Sequence, residues 1–167
     1  SSLMLPTTEG STTSRVADSI ANAGNSALFS GVNSSGVLYA EIGVLTSVVT
    51  SRRISLSEGS SNNSVRFIYH LGTDKLYGII RVGGVDRLNL PATITITDLN
   101  KVALRWSSAG YSFYVNGVEV ASGVAGATFP PSTLDRLNLL DSDGSGSNSF
   151  YGKTKALGVF DYLSDAE

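Results

Sequence analysis

Lys101-Val-Ala-Leu-Arg-Trp106-Ser-Ser-Ala-Gly-Tyr111-Ser-Phe-Tyr-Val-Asn116-Gly-Val-Glu-Val-Ala-Ser-Gly123 decides the fold. Val102, Leu104 and Trp106 alternate with Ala103, Arg105 and Ser107, the period of two that places successive side chains on opposite faces of a strand. Ser108-Ala109-Gly110 is a turn cluster, and the alternation resumes at Tyr111, Phe113 and Val115. Asn116-Gly117 then marks a two-residue hairpin, because both central positions of a type I′ turn need positive φ. Val118 and Val120 continue the returning strand. Such a meander cannot bury its own apolar face, so it must be one part of a larger two-layer β structure.

Outward from it, the same pattern recurs. Residues 36–46 place Leu38, Ala40, Ile42 and Val44 inward and Val37, Tyr39 and Glu41 outward. Residues 52–58 do so with Ile54 and Leu56 inward, and Val65, Phe67 and Tyr69 alternate with Arg66, Ile68 and His70. Further strands are expected at residues 75–82, 85–90, 93–97, 134–140 and 151–160, with short ones at 2–5 and, as an edge, 26–29. Residues 6–24 read as a long surface connection in which Arg15 and Asp18 form a structural pair. Residues 121–131 form a loop, closed to regular structure by Pro130-Pro131. Residues 141–149 read as a solvated hairpin loop. No long segment has apolar residues at helical spacing with caps, so helix is confined to short turns. About twelve strands at this spacing predict an all-β, two-sheet antiparallel β-sandwich of jelly-roll type.

The bulk numbers agree. A chain of 167 residues with 41% hydrophobic and 16% charged residues fits one domain, residues 1–167, able to bury a core. Its Ser1 start suggests excision from a longer protein. Eighteen Gly supply the turns of an all-β chain. A formal charge of −2 gives no reason to expect a nucleic acid partner. The absence of cysteine excludes disulfides, a thiol nucleophile and a Cys-ligated metal. No apolar run approaches the ~20 residues of a membrane span, and no signal peptide is visible.

Catalytic constellations are missing. The one histidine, His70, sits mid-strand, and no Gly-x-Ser-x-Gly elbow accompanies it. No closely spaced carboxylates on one strand suggest glycosidase chemistry. The loop Asp141-Ser-Asp143-Gly-Ser-Gly-Ser-Asn148 offers Asp141 and Asp143 as weak calcium candidates, but lacks the third acid and bidentate Glu of an EF-hand loop. The expectation is therefore no cofactor and no enzyme. What remains is a set of outward Tyr and Arg, the residue types that stack on a sugar face and fork its hydroxyls. The outward positions include Tyr39, Glu41, Arg53, Arg66, His70, Tyr77, Arg81, Arg105 and Tyr114. Tyr39, Arg66, Arg81, Arg105 and Tyr114 are the expected ligand-binding set, and the surplus of Arg suits acidic sugars.

Tyr114-Val-Asn-Gly-Val-Glu-Val120 after Lys101-Val-Ala-Leu-Arg-Trp106 resembles the middle of laminin-G-like, concanavalin-A-like jelly-roll domains. Residues 150–160 and the tail Leu163-Ser-Asp-Ala-Glu167 are similar to that family's closing strand and end. Leu5-Pro-Thr-Thr8, Ser14-Arg-Val-Ala-Asp18 and Gly36-Val-Leu-Tyr-Ala-Glu-Ile42 resemble a branch found in bacteriophage tail, fibre and other structural proteins. The resemblance implies adjacent N- and C-terminal strands and calcium at the rim in some members. It also implies a non-enzymatic carbohydrate-binding or adhesion module on a virion surface or outside the cell. Its expected partners are glycans of a cell or mucosal surface and other virion proteins. The alternatives are a ligand-free structural spacer and an accessory carbohydrate-binding module of a polysaccharide-degrading enzyme.

Overall fold

The computed structural model describes residues 20–45, 50–70, 72–146 and 148–161. The expected strand at 2–5, its adjacency to the C-terminal strand, and the Arg15–Asp18 pair lie outside these. Among the described residues there are ten strands: β1 (Gly36–Val44), β2 (Arg52–Ser57), β3 (Ser64–His70), β4 (Lys75–Val82), β5 (Val85–Ala92), β6 (Asn100–Ser107), β7 (Gly110–Val115), β8 (Val118–Gly123), β9 (Arg136–Asn138) and β10 (Gly152–Asp161). They form two five-stranded sheets, ordered β10-β1-β6-β7-β8 and β5-β4-β3-β2-β9, with antiparallel pairing throughout.

The alternation read from the sequence sets the core. Leu38, Ala40 and Ile42 of β1 and Val102, Leu104 and Trp106 of β6 are buried and face Ile54, Leu56, Val65 and Phe67 of the other sheet. Phe67 and Phe113 meet between the layers with ring centroids 6.2 Å apart. Gly78 of β4 lies directly against the other layer: a Cβ there would sit 2.8 Å from both Leu104 Cδ2 and Phe113 Cγ. Trp106 donates its indole N–H to the Val32 carbonyl at 2.8 Å, so the large ring is buried without an orphaned donor. The β7–β8 turn is as the sequence requires, with Asn116 at φ 51° and Gly117 at φ 85°.

Three expected strands are not continuous strands. Residues 26–29 form a turn, because Asn25 Oδ1 accepts from the N–H of Ala27 and Leu28, and the chain passes into a 3₁₀ helix at Ser30–Val32. Residues 93–97 are a connection between the sheets. The Ile96 carbonyl accepts from Val44 N at 2.8 Å and the Asn100 amide ties the Thr95 carbonyl, while Ile96 anchors apolar contact. Residues 134–140 shorten to the three-residue β9, which bridges on its far side to Ala23. The loop expected from residue 121 begins after Gly123, where β8 ends.

Candidate functional site

Cross-strand register fixes what the outer face of the β5-β4-β3-β2-β9 sheet displays. One row reads Arg136, Ser57, Ser64, Arg81, Asp86, and the next reads Asn138, Ser55, Arg66, Ile79, Asn89. A third reads Arg53, Ile68, Tyr77, Pro91, with His70 beyond it, its ring 5.4 Å from that of Tyr77. Arg66 stands at the centre of this face, between Ser55 and Ile79.

The loop after β9 completes the site. The expectation of a solvated hairpin at residues 141–149 is corrected, because two buried serines of β2 hold the returning chain. Ser55 Oγ donates to the Leu140 carbonyl at 3.1 Å, and Ser57 Oγ donates to the Ser142 carbonyl at 2.7 Å. Asn138 Nδ2 donates to the same Ser142 carbonyl at 3.2 Å. At its far end the loop pairs with β2 through Arg53 N to the Asn148 carbonyl at 3.1 Å. The loop therefore lies along β2 and walls one side of the sheet face. The turn at residues 59–61 walls another, tied by Glu58 to the Ser60 hydroxyl and Asn63 amide.

Between these walls is a cleft of about 350 Å³ lined by Arg53, Ser60, Arg66, Asp141, Ser142 and Asp143, with Gly59 and Ser61 at its margin. Asp141 is committed to protein donors, pairing with the Arg53 guanidinium and accepting from Asn148 Nδ2 at 2.8 Å. Asp143 accepts from Ser145 N and Oγ, and those two bonds hold its carboxyl below the usual range. The calcium candidates are thus engaged by protein donors of the loop and of β2, and the described residues contain no group of three or more acidic or His side chains able to hold a metal. Arg66 is 8% exposed. Burial first, then the neighbouring Arg53 guanidinium, pushes its pKa down, with Arg81 adding to this and Asp86 and Asp141 opposing. Two other hollows, of about 520 Å³ and 640 Å³, contain no arginine or lysine.

The five expected ligand residues fall on opposite outer faces. Arg66 and Arg81 lie on the sheet just described, Arg81 with its Nε 2.9 Å from the Gly84 carbonyl and 3.3 Å from Asp86. Tyr39, Arg105 and Tyr114 lie on the other sheet, where Tyr39, Ala103 and Tyr114 form one row. There the Arg105 guanidinium sits 5.6 Å over the Tyr114 ring and Nη2 reaches Ser112 Oγ at 3.4 Å. Burial raises the Tyr114 phenol above its usual pKa. The structure thus brings Arg66 together with Arg53, Asp141, Asp143, Ser60 and Ser142, a grouping the sequence reading did not assemble. Arg53 and Tyr77 were legible as outward positions by alternation; the serines and the loop carboxylates had no local signal linking them to β3.

The sequence matches, over residues 6–167, the family described as the concanavalin A-like lectin/glucanases superfamily, in its laminin-G-type branch, and the chain belongs to it. No curated protein matches the sequence. Among solved structures, the chain is similar to a Ruminococcus gnavus IT-sialidase CBM40, at 18% identity and TM-score 0.65, covering 89% of this chain and 93% of that one. It is similar too to part of the NanB sialidase from Streptococcus pneumoniae, at 16% identity and TM-score 0.64, covering 87% of this chain and 26% of that one. At these identities the likeness is one of fold: a jelly-roll sandwich.

Proposed function

We propose, for this member of the superfamily, that the domain is a non-catalytic glycan-binding module whose ligand lies in the cleft on the β5-β4-β3-β2-β9 face. The observation that carries this is the cleft itself: charged forks and hydroxyls held by a pinned loop, beside the Ile68, Tyr77 and Ile79 rows of a rigid sheet. Sugars are bound by that combination of hydrogen-bonding forks and apolar surface. Arg81 belongs to the rim of this face. Tyr39, Arg105 and Tyr114 stand outside it.

The wider setting is proposed from the sequence resemblance. The module sits on a phage tail or fibre protein, at the virion surface, where its partners are host or mucosal glycans and neighbouring virion proteins. A single module is expected to bind weakly, with Kd of roughly 10 μM to 1 mM, about −7 to −4 kcal/mol. Adhesion then comes from many copies on one particle. A second reading, an accessory module of a polysaccharide-degrading enzyme, is favoured by the similarity to a segment within a sialidase chain. Both place a glycan in the same cleft.

A multivalent form of the domain, displayed against an array of bacterial and mucosal glycans, tests the proposal. Binding to a defined glycan subset is expected. Uniform silence across the array contradicts it and favours a ligand-free spacer.

A further inference from the structure

The cleft contains groups that the protein itself leaves without partners. The Nε of Arg66, the Nε of Arg53 and the Oγ of Ser142 are buried and have no hydrogen-bond partner among the described residues. Arg53 still has its ion pair with Asp141 through Nη1. Arg66 has none: no carboxylate of the described residues lies within ion-pair distance of it. Its two attracting neighbours are occupied elsewhere, Asp141 by Arg53 and Asn148, and Asp86 by Arg81 and by Asn89 Nδ2 at 2.9 Å. A guanidinium removed from water and left without an anion is costly, and a buried orphaned donor calls for an explanation.

We propose that the cleft recognises a carboxylate-bearing sugar unit, with the carboxylate seated on the Arg66 guanidinium and a ring hydroxyl on Ser142 Oγ. This rests on the glycan-binding reading above and names its substrate class. An arginine edge presents two parallel N–H donors that match the two oxygens of a carboxylate, a fit that a lysine cannot reproduce. The desolvation of Arg66 is already met in the folded state, so the anion gains the contact without a large further desolvation cost on the arginine. Asp143, also in the lining, stays ionised and accepts from a second hydroxyl. Together with Asp141 it disfavours a dianionic phosphate, whereas a single negative charge flanked by hydroxyls gives partners to Arg66 and to Ser142 Oγ.

The test uses immobilised polygalacturonate, hyaluronan and an α2,8-linked N-acetylneuraminate polymer, each beside its carboxyl-reduced counterpart, with dextran and dextran sulfate as further surfaces. The multivalent wild-type domain is expected to bind at least one acidic polymer and to lose tenfold or more in affinity on its carboxyl-reduced form. Arg66→Lys keeps the charge but loses the fork, and is expected to bind that polymer several-fold more weakly. Ser142→Ala removes a hydroxyl with no protein partner, so it should weaken binding several-fold while leaving the melting temperature unchanged. Equal binding to an acidic polymer and its reduced form, or preferential binding to dextran sulfate, overturns the carboxylate assignment while the glycan-binding reading stands. Binding to the neutral surfaces alone does the same. Silence on all of these surfaces overturns the carboxylate assignment, and silence on the full glycan array as well overturns the glycan reading.

Discussion

The two outer faces of this sandwich are built from the same kinds of residue and differ in what covers them. On the β10-β1-β6-β7-β8 face, polar side chains satisfy one another: Arg105 stacks on Tyr114, and Lys155 Nζ lies 3.0 Å from Glu41 Oε1. On the opposite face, residues 139–146 and 148–149 fold back over β2 and turn a flat sheet into a walled cleft, leaving Arg66 buried and unpaired among the described residues. On the reading proposed above, arginines and tyrosines on a strand make a site only where a loop encloses them and leaves donors unmet.

The largest expected effect erases the comparison altogether. Leu104 is fully buried between the two sheets, and Leu104→Ala should cost about 2–5 kcal/mol in chemical denaturation, weakening both faces. A loss under ~0.5 kcal/mol would show that the layer register is wrong.

A smaller effect separates the faces. Ser57 is buried, donates to the Ser142 carbonyl and accepts from Gly59 N at 3.1 Å, so it holds the loop and the neighbouring turn at once. Ser57→Ala should cost about 1–3 kcal/mol and lower glycan affinity with it. Unchanged affinity in the folded variant would mean the loop wall is irrelevant to the ligand. The opposing face offers the smallest effect. Lys155 is largely exposed, and Lys155→Ala should change stability by under about 1 kcal/mol with no effect on binding, read by thermal melting and the array together.

How much of this was legible depends on where each backbone bond goes. In β1, β3 and β6 the hydrophobic alternation and the pairing agree, so the inward sets Leu38–Ala40–Ile42 and Val102–Leu104–Trp106 could be read directly. Residues 93–97 carry Ile94 and Ile96 in the same alternation, yet their backbone makes a turn from Asp98 N to the Thr95 carbonyl and one bond to β1 instead of a ladder. Periodicity reports which side chains are buried and is silent on the partner of each N–H. The site follows the same rule. Arg66 was legible as an outward residue of β3, but which strands share its sheet was not, so Tyr39 and Tyr114 were grouped with it. The enclosure of Arg66 depends on pairing between Arg53 and Ser149, far apart in sequence, which leaves no local pattern.

The most direct measurement of the central claim compares the faces on one glycan. With the array's strongest ligand, affinities of the wild type, Arg66→Gln and Tyr114→Ala are measured by titration calorimetry, each variant first shown to be folded by its melting curve. Arg66→Gln is expected to lose tenfold or more, about 1.4 kcal/mol, while Tyr114→Ala binds as the wild type does. The reverse pattern, with Tyr114→Ala silent and Arg66→Gln unaffected, would place the ligand on the opposite sheet and contradict it.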